Sequence, residues 1–160
     1  MGLAEVSSVL WRERELLEML LFKLEEEQLV LASGRTKWLA RATREVDVVL
    51  QEIKRTELLR AVEVDAVAAE AGIPANPSLA QLADAVAEPW AGLLREHRQA
   101  FLTMTAEVQA LAQANRDLLT TGQRAAREAL LSLTDGTATY TPGGEAVTVG
   151  TRHHLLDSAL

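Results

Sequence analysis

The sequence predicts an all-α protein: an antiparallel bundle of three long helices with coiled-coil packing, one short connecting helix and an irregular C-terminal tail. Three observations carry this expectation. The chain is built largely from Ala, Leu, Glu, Arg and Gln, all strong helix formers, with few aromatics and only scattered β-branched residues before position 137. Apolar residues recur at three- and four-residue steps through three long segments. The breaks between segments carry Gly, Pro and capping residues where helices stop and start.

The first helix is expected over about 3–32. Leu3, Val6, Leu10, Leu17, Leu20 or Leu21, Leu24 and Leu31 keep helical spacing, while Glu and Arg fill the opposite face. "ASGRT" ends it, with Gly34 as the residue just past the helix and Thr36 placed to cap the next one. The second helix is expected over 36–71, burying Leu39, Ala42, Val46, Val49, Ile53, Leu59 and Ala66 and ending near Gly72. "GIPANPS" cannot continue it, because proline lacks the amide donor and clashes with the preceding turn. Ser78 followed by Gln81 forms a capping box for a short helix over 79–87, and Pro89 favours the start of a new one.

The longest signal follows. Trp90, Leu94, His97, Phe101, Met104, Val108, Leu111, Asn115, Leu118, Gly122, Ala125 and Ala129 step by four and three without a slip, a heptad seam on a helix over 90–133. Such a helix is roughly 65 Å long, against roughly 43 and 50 Å for the first two, so it should outreach them. Residues 1–134 are read as the helical domain. Residues 135–160, rich in Gly, Thr and small residues, are read as a flexible or loosely structured tail in which "TATYTPGGEAVTV" forms a loose hairpin or no fixed structure.

A chain of 160 residues supports one domain with a modest core. The net charge of −7 is spread over both halves, so neither offers the basic face that phosphate binding needs, and nucleic acid is not expected as a partner. With no cysteine there is no disulfide framework and no thiolate metal site. The N-terminus carries acids early and lacks the basic and apolar regions of a signal peptide, and no apolar run is long enough to span a membrane. A cytoplasmic location is the expectation.

Two positions weaken the seam. Asn115 is either a register-setting amide, which would lack partners in any misaligned packing, or the point where the seam becomes exposed. Gly122, with Ala125, Ala126 and Ala129, buries little apolar area but lets another helix approach closely, as a docking surface or a tapering end. His97 lies on the seam with no second ligand at metal spacing and reads as a core histidine; the adjacent His153 and His154 are assigned nothing. The acidic run Glu25 to Glu27 reads as a solvated helix face. No phosphate loop, cysteine nucleophile or serine elbow is present, so no enzyme, cofactor or metal is expected.

Taken in order, these features resemble the FlgN family of flagellar export chaperones. The resemblance rests on the Leu- and Glu-rich first helix, on "TKWLARATREVDVVLQEIKRTELLRA", on "PWAGLLREHRQAFLTMTAEVQALAQANRDLLTTGQ", and on "AREALLSL" before the "TYTPGG" tail. It implies a cytosolic, non-enzymatic chaperone that holds the C-terminal helices of the hook-filament junction proteins FlgK and FlgL and delivers them to the flagellar export apparatus. It further implies that cargo binds the C-terminal amphipathic helix, at positions matching Leu118, Leu119, Ala125, Ala126, Ala129, Leu130 and Leu133. Two other readings stand beside it. "PWAG", Pro89 to Gly92, is similar to the Trp-x-Gly turn of secreted WXG-type helical hairpins, and the seam could serve an antiparallel coiled-coil homodimer acting as an adaptor.

Overall fold

The computed structural model describes residues 2–138. These form α1 (Gly2–Ser33), α2 (Leu39–Ala71), α3 (Leu79–Ala85) and α4 (Trp90–Ala138), with no strand among the described residues. The all-α expectation is met. α4 continues to Ala138, so residues 135–138, assigned to the tail from composition, are helical, while "TYTPGG" and the paired histidines lie outside the described residues.

The turns follow backbone chemistry. Gly72 sits at φ 71 and ends α2 in a Schellman arrangement: its own amide donates to the Ala69 carbonyl, and the Ile73 amide donates back to Ala68. Ser78 and Gln81 form both bonds of the capping box, at 3.1 and 2.9 Å. One cap differs from expectation. Thr36 opens a short 3-10 turn, Thr36–Trp38, and α2 begins at Leu39 with no side-chain cap, because the tight turn after Gly34 already hydrogen-bonds the Thr36 and Trp38 amides. α3 also stops at Ala85 rather than 87, where Val86 turns to extended backbone.

The chain divides into two compact units, Met1–Leu118 and Leu119–Leu160, a boundary earlier than the 134/135 division read from composition. In the first unit α1 and α2 are antiparallel. A Cβ at Gly2 would meet Val67, Glu13 pairs with Arg60, and Lys23 pairs with Glu45. α4 runs back alongside α1, with His97 against Trp11 and Asn115 against Leu24. The result is an up–down–up bundle.

Two apolar clusters fill it. Val6, Leu10, Val64, Val67, Leu82, Ala83 and Leu94 form one, with α3 packed into it; Leu20, Leu24, Val46 and Val49 form the other, backed by Ile53, Val108 and Leu111. Burying such side chains stabilises by roughly 1.5–3 kcal/mol each.

Between the clusters lies a polar layer. Glu13 is only 4% exposed and accepts from Arg60 Nη1 at 2.8 Å through Oε2, leaving Oε1 without a partner among the described residues. Buried Thr56 returns its hydroxyl to the Glu52 carbonyl at 2.9 Å. Arg60 also lies over the Phe101 ring, which stacks on His97. Here the predicted stripe of α2 is corrected: Leu59 and Ala66 are exposed. A step from Ile53 to Leu59 turns the helix by about 240°, off the buried face. The face instead runs through Thr56 and Arg60 to Val64 and Val67.

His97 is 1% exposed, and neither ring nitrogen has a partner among the described residues. Its core reading stands, with Trp11 edge-on at 4.9 Å. Burial, then the Arg14 charge, pushes its pKa below the usual value. A base with a depressed folded pKa contributes full stability above its ordinary value, and that contribution is lost as pH falls. Because neither buried nitrogen has a partner among the described residues, the His97→Leu variant is expected to gain about 1 kcal/mol at neutral pH. Its advantage over the wild type should widen below about pH 6.5, as read from urea midpoints.

Candidate functional site

The seam on α4 does two different things along its length. From Leu94 to Asn115 it is buried or half-buried against the chain's own α1 and α2. From Arg116 to Gly136 every residue is exposed.

Asn115 marks the change. It is 3% exposed, and Nδ2 donates to the Leu24 carbonyl at 2.9 Å and to Glu27 Oε1 at 3.0 Å, while Oδ1 has no partner among the described residues. Sliding α4 one turn along α1 would carry the amide about 5.4 Å from both acceptors, leaving it buried and unpaired. The acidic run Glu25 to Glu27 is thus not only a solvated face, since Glu27 turns inward to accept from Asn115 and Glu26 pairs with Lys23 at 3.1 Å. Lys23 also binds Glu45 at 2.9 Å, and hydrogen bonds from Lys23 and then Arg41 hold the Glu45 carboxyl below its usual pKa.

The residues singled out for partner binding share one helical face. At about 100° per residue, Leu118, Leu119, Gly122, Ala125, Ala126, Ala129, Leu130 and Leu133 fall within an arc of about 140°. Arg124, Arg127 and Glu128 occupy the other side, and Leu131 lies there too. Leu118 closes the first unit; the remaining members belong to the second. The four leucines are between 38% and 69% exposed. A Cβ added to Gly122 would meet nothing within 4 Å, so nothing in the fold requires glycine there. The face is an amphipathic helix with its apolar side open, large at its ends and small in its middle.

A family model described as FlgN protein matches residues 1–148. The chain belongs to the FlgN family. Membership gives it the role of a flagellar export chaperone. No curated protein and no solved structure matches this FlgN family member. No described helix is long and apolar enough to cross a membrane, and no described group of three His, Cys, Asp or Glu residues could hold a metal ion. "PWAG" is the opening of α4, where the Glu88 carboxylate accepts from the Gly92 amide at 2.9 Å and so satisfies a helix-start donor.

The sequence reading missed two features. One is the buried Glu13–Arg60 pair. The other is a groove of about 520 Å³ beside α2 and α4, lined by Glu57, Arg60, Val64, Leu79, Phe101 and Leu102 among others. Arg60 at helical spacing from Val64 and Val67 was the available signal for both.

Proposed function

We propose that this FlgN family member holds the C-terminal helices of FlgK and FlgL in the cytoplasm and hands them to the export apparatus, binding without catalysis. The cargo helix lies along Leu118, Leu119, Ala125, Ala126, Ala129, Leu130 and Leu133, with Gly122 and the alanines allowing close approach of the two backbones. The observation that supports this reading is the change of exposure along one unbroken heptad pattern: side chains at the same seam positions are covered before Asn115 and open after it. Asn115 locks the register of α4 on α1, so the covered part of the seam stays with the fold and the open part stays with the cargo.

An open apolar face suits transient capture, because cargo must be released and a surface buried in its own bundle would have to unfold first. Each leucine buried against cargo contributes roughly 1.5–3 kcal/mol. The Leu130→Asp, Leu133→Asp double variant is accordingly expected to lose at least about 100-fold in affinity for a FlgK C-terminal peptide, measured by calorimetric titration. Its urea midpoint should not change, since both side chains are exposed. Unchanged affinity in a folded variant would remove this placement of the site.

A further inference from the structure

The turn between α1 and α2 is a basic stretch in an acidic chain. From Gln28 to Arg44 there is no acid, while Arg35, Lys37, Arg41 and Arg44 give +4 in a protein whose net charge is −7. The same turn exposes large apolar side chains: Leu29 is 71% and Trp38 47% exposed. The two line one shallow recess of about 530 Å³, together with Lys23, Val30, Arg41 and Glu45. The Lys37 ammonium stands 4.9 Å from the centre of the Trp38 ring, so a cation and an aromatic face are presented side by side.

The fold does not call for these residues. The first turn of α2 holds Arg41 and no acid, although the positive end of the helix dipole favours acids there. Arg35, Lys37 and Arg44 are exposed and form no ion pair among the described residues; of the four cations only Arg41 is matched, by Glu45 at 3.1 Å. The acids nearest the turn are engaged, since Glu26 and Glu45 hold Lys23 and Glu27 holds Asn115. Exposed Glu25 and Asp47 lie eight residues back from Ser33 and Leu39, about 12 Å along their helices. That exceeds the screening length of about 8 Å at physiological salt, so a charged surface meeting the turn feels mainly its cations.

We propose that this turn seats the protein on an anionic lipid surface. Arg35, Lys37, Arg41 and Arg44 meet the lipid phosphates, and Trp38 with Leu29 enters the headgroup layer. An acidic protein segment would satisfy the cations equally. The exposed Trp38 and Leu29 at the same turn favour the lipid surface, which has an apolar layer beneath its charge. One basic side chain near such a surface is worth about fivefold in partition, so this turn gives a reversible, salt-dependent attachment. The inference is independent of the cargo site, which lies on α4.

Flotation of the full chain with vesicles tests it, using phosphatidylcholine alone and a three-to-one mixture with phosphatidylglycerol. The wild type is expected to partition at least about tenfold more onto the mixed vesicles, and to leave them as salt rises. Arg35→Glu with Lys37→Glu should lower that partition at least about 20-fold. Lys54→Glu with Arg98→Glu makes the same change in net charge at exposed positions away from the turn, and should lower it no more than about threefold. Circular dichroism verifies the fold of both double variants. Acyl chains brominated near the headgroup should quench the wild-type tryptophan emission, and Trp38→Phe should abolish that quenching. A wild type indifferent to phosphatidylglycerol, equal losses in the two double variants, or partition without quenching through Trp38 would each overturn the proposal. So would binding to polyglutamate but not to vesicles, which would assign the turn to acidic protein segments.

Discussion

Replacing Leu10 with alanine is expected to destabilise the first unit by about 4 kcal/mol, in the upper part of the range for buried leucines. Leu10 is fully buried in the cluster shared by α1, α2, α3 and α4, with Val6, Val64, Val67, Leu82 and Leu94 around it. Those neighbours come from four helices held by different connections, so no one of them can move in to fill the space without leaving its own contacts. The lost methyl groups therefore cost their transfer free energy and a cavity as well. The control is Leu58→Ala. It removes the same atoms from a side chain 71% exposed, and its urea midpoint should shift by no more than about 0.5 kcal/mol. A similar loss from both variants would mean that the back of α2 is covered in the folded protein.

Much of this fold is legible from spacing alone, and the places where the reading departs share one cause. The seam of α4, the Schellman ending at Gly72 and the capping box at Ser78 depend on local rules, and each stands in the structure. The stripe of α1 as read jumps from Leu10 to Leu17, skipping Glu13, and the stripe of α2 jumps from Ile53 to Leu59, skipping Thr56 and Arg60. A count of apolar positions passes over charged residues by construction. The two gaps are one feature, since Glu13 and Arg60 fill them by pairing with each other. No spacing rule within one helix reveals a partner 47 residues away. On α4 the apolar face from Leu118 to Leu133 was legible as a face. Its exposure was not, because the heptad pattern continues unchanged past Asn115 while the burial stops there.

The Glu13–Arg60 pair makes the second large effect. The Arg60→Met variant keeps an aliphatic stem of similar length but leaves a carboxylate buried with no opposite charge, which costs roughly 3 kcal/mol or more at neutral pH. The pH dependence separates this from lost packing. Burial raises the Glu13 pKa; Arg60 opposes this through its charge and hydrogen bond, and Glu57 adds to the rise. An acid whose folded pKa lies above its unfolded value takes up a proton on folding between the two, so stability falls as pH rises through that window and returns as pH drops. In the variant the two opposing contributions from Arg60 vanish, and the window widens upward. Much of the loss seen at neutral pH should therefore be recovered at mildly acid pH, as the buried carboxyl takes up its proton. Adding Glu13→Gln to Arg60→Met should recover it at both pH values, because an amide carries no charge to desolvate. Urea midpoints for the wild type, the single and the double variants decide the matter. A destabilisation by Arg60→Met that is equal at both pH values, and that Glu13→Gln does not relieve, would show that Arg60 serves the bundle by its stem against Phe101 and not by neutralising the carboxylate between the two apolar clusters.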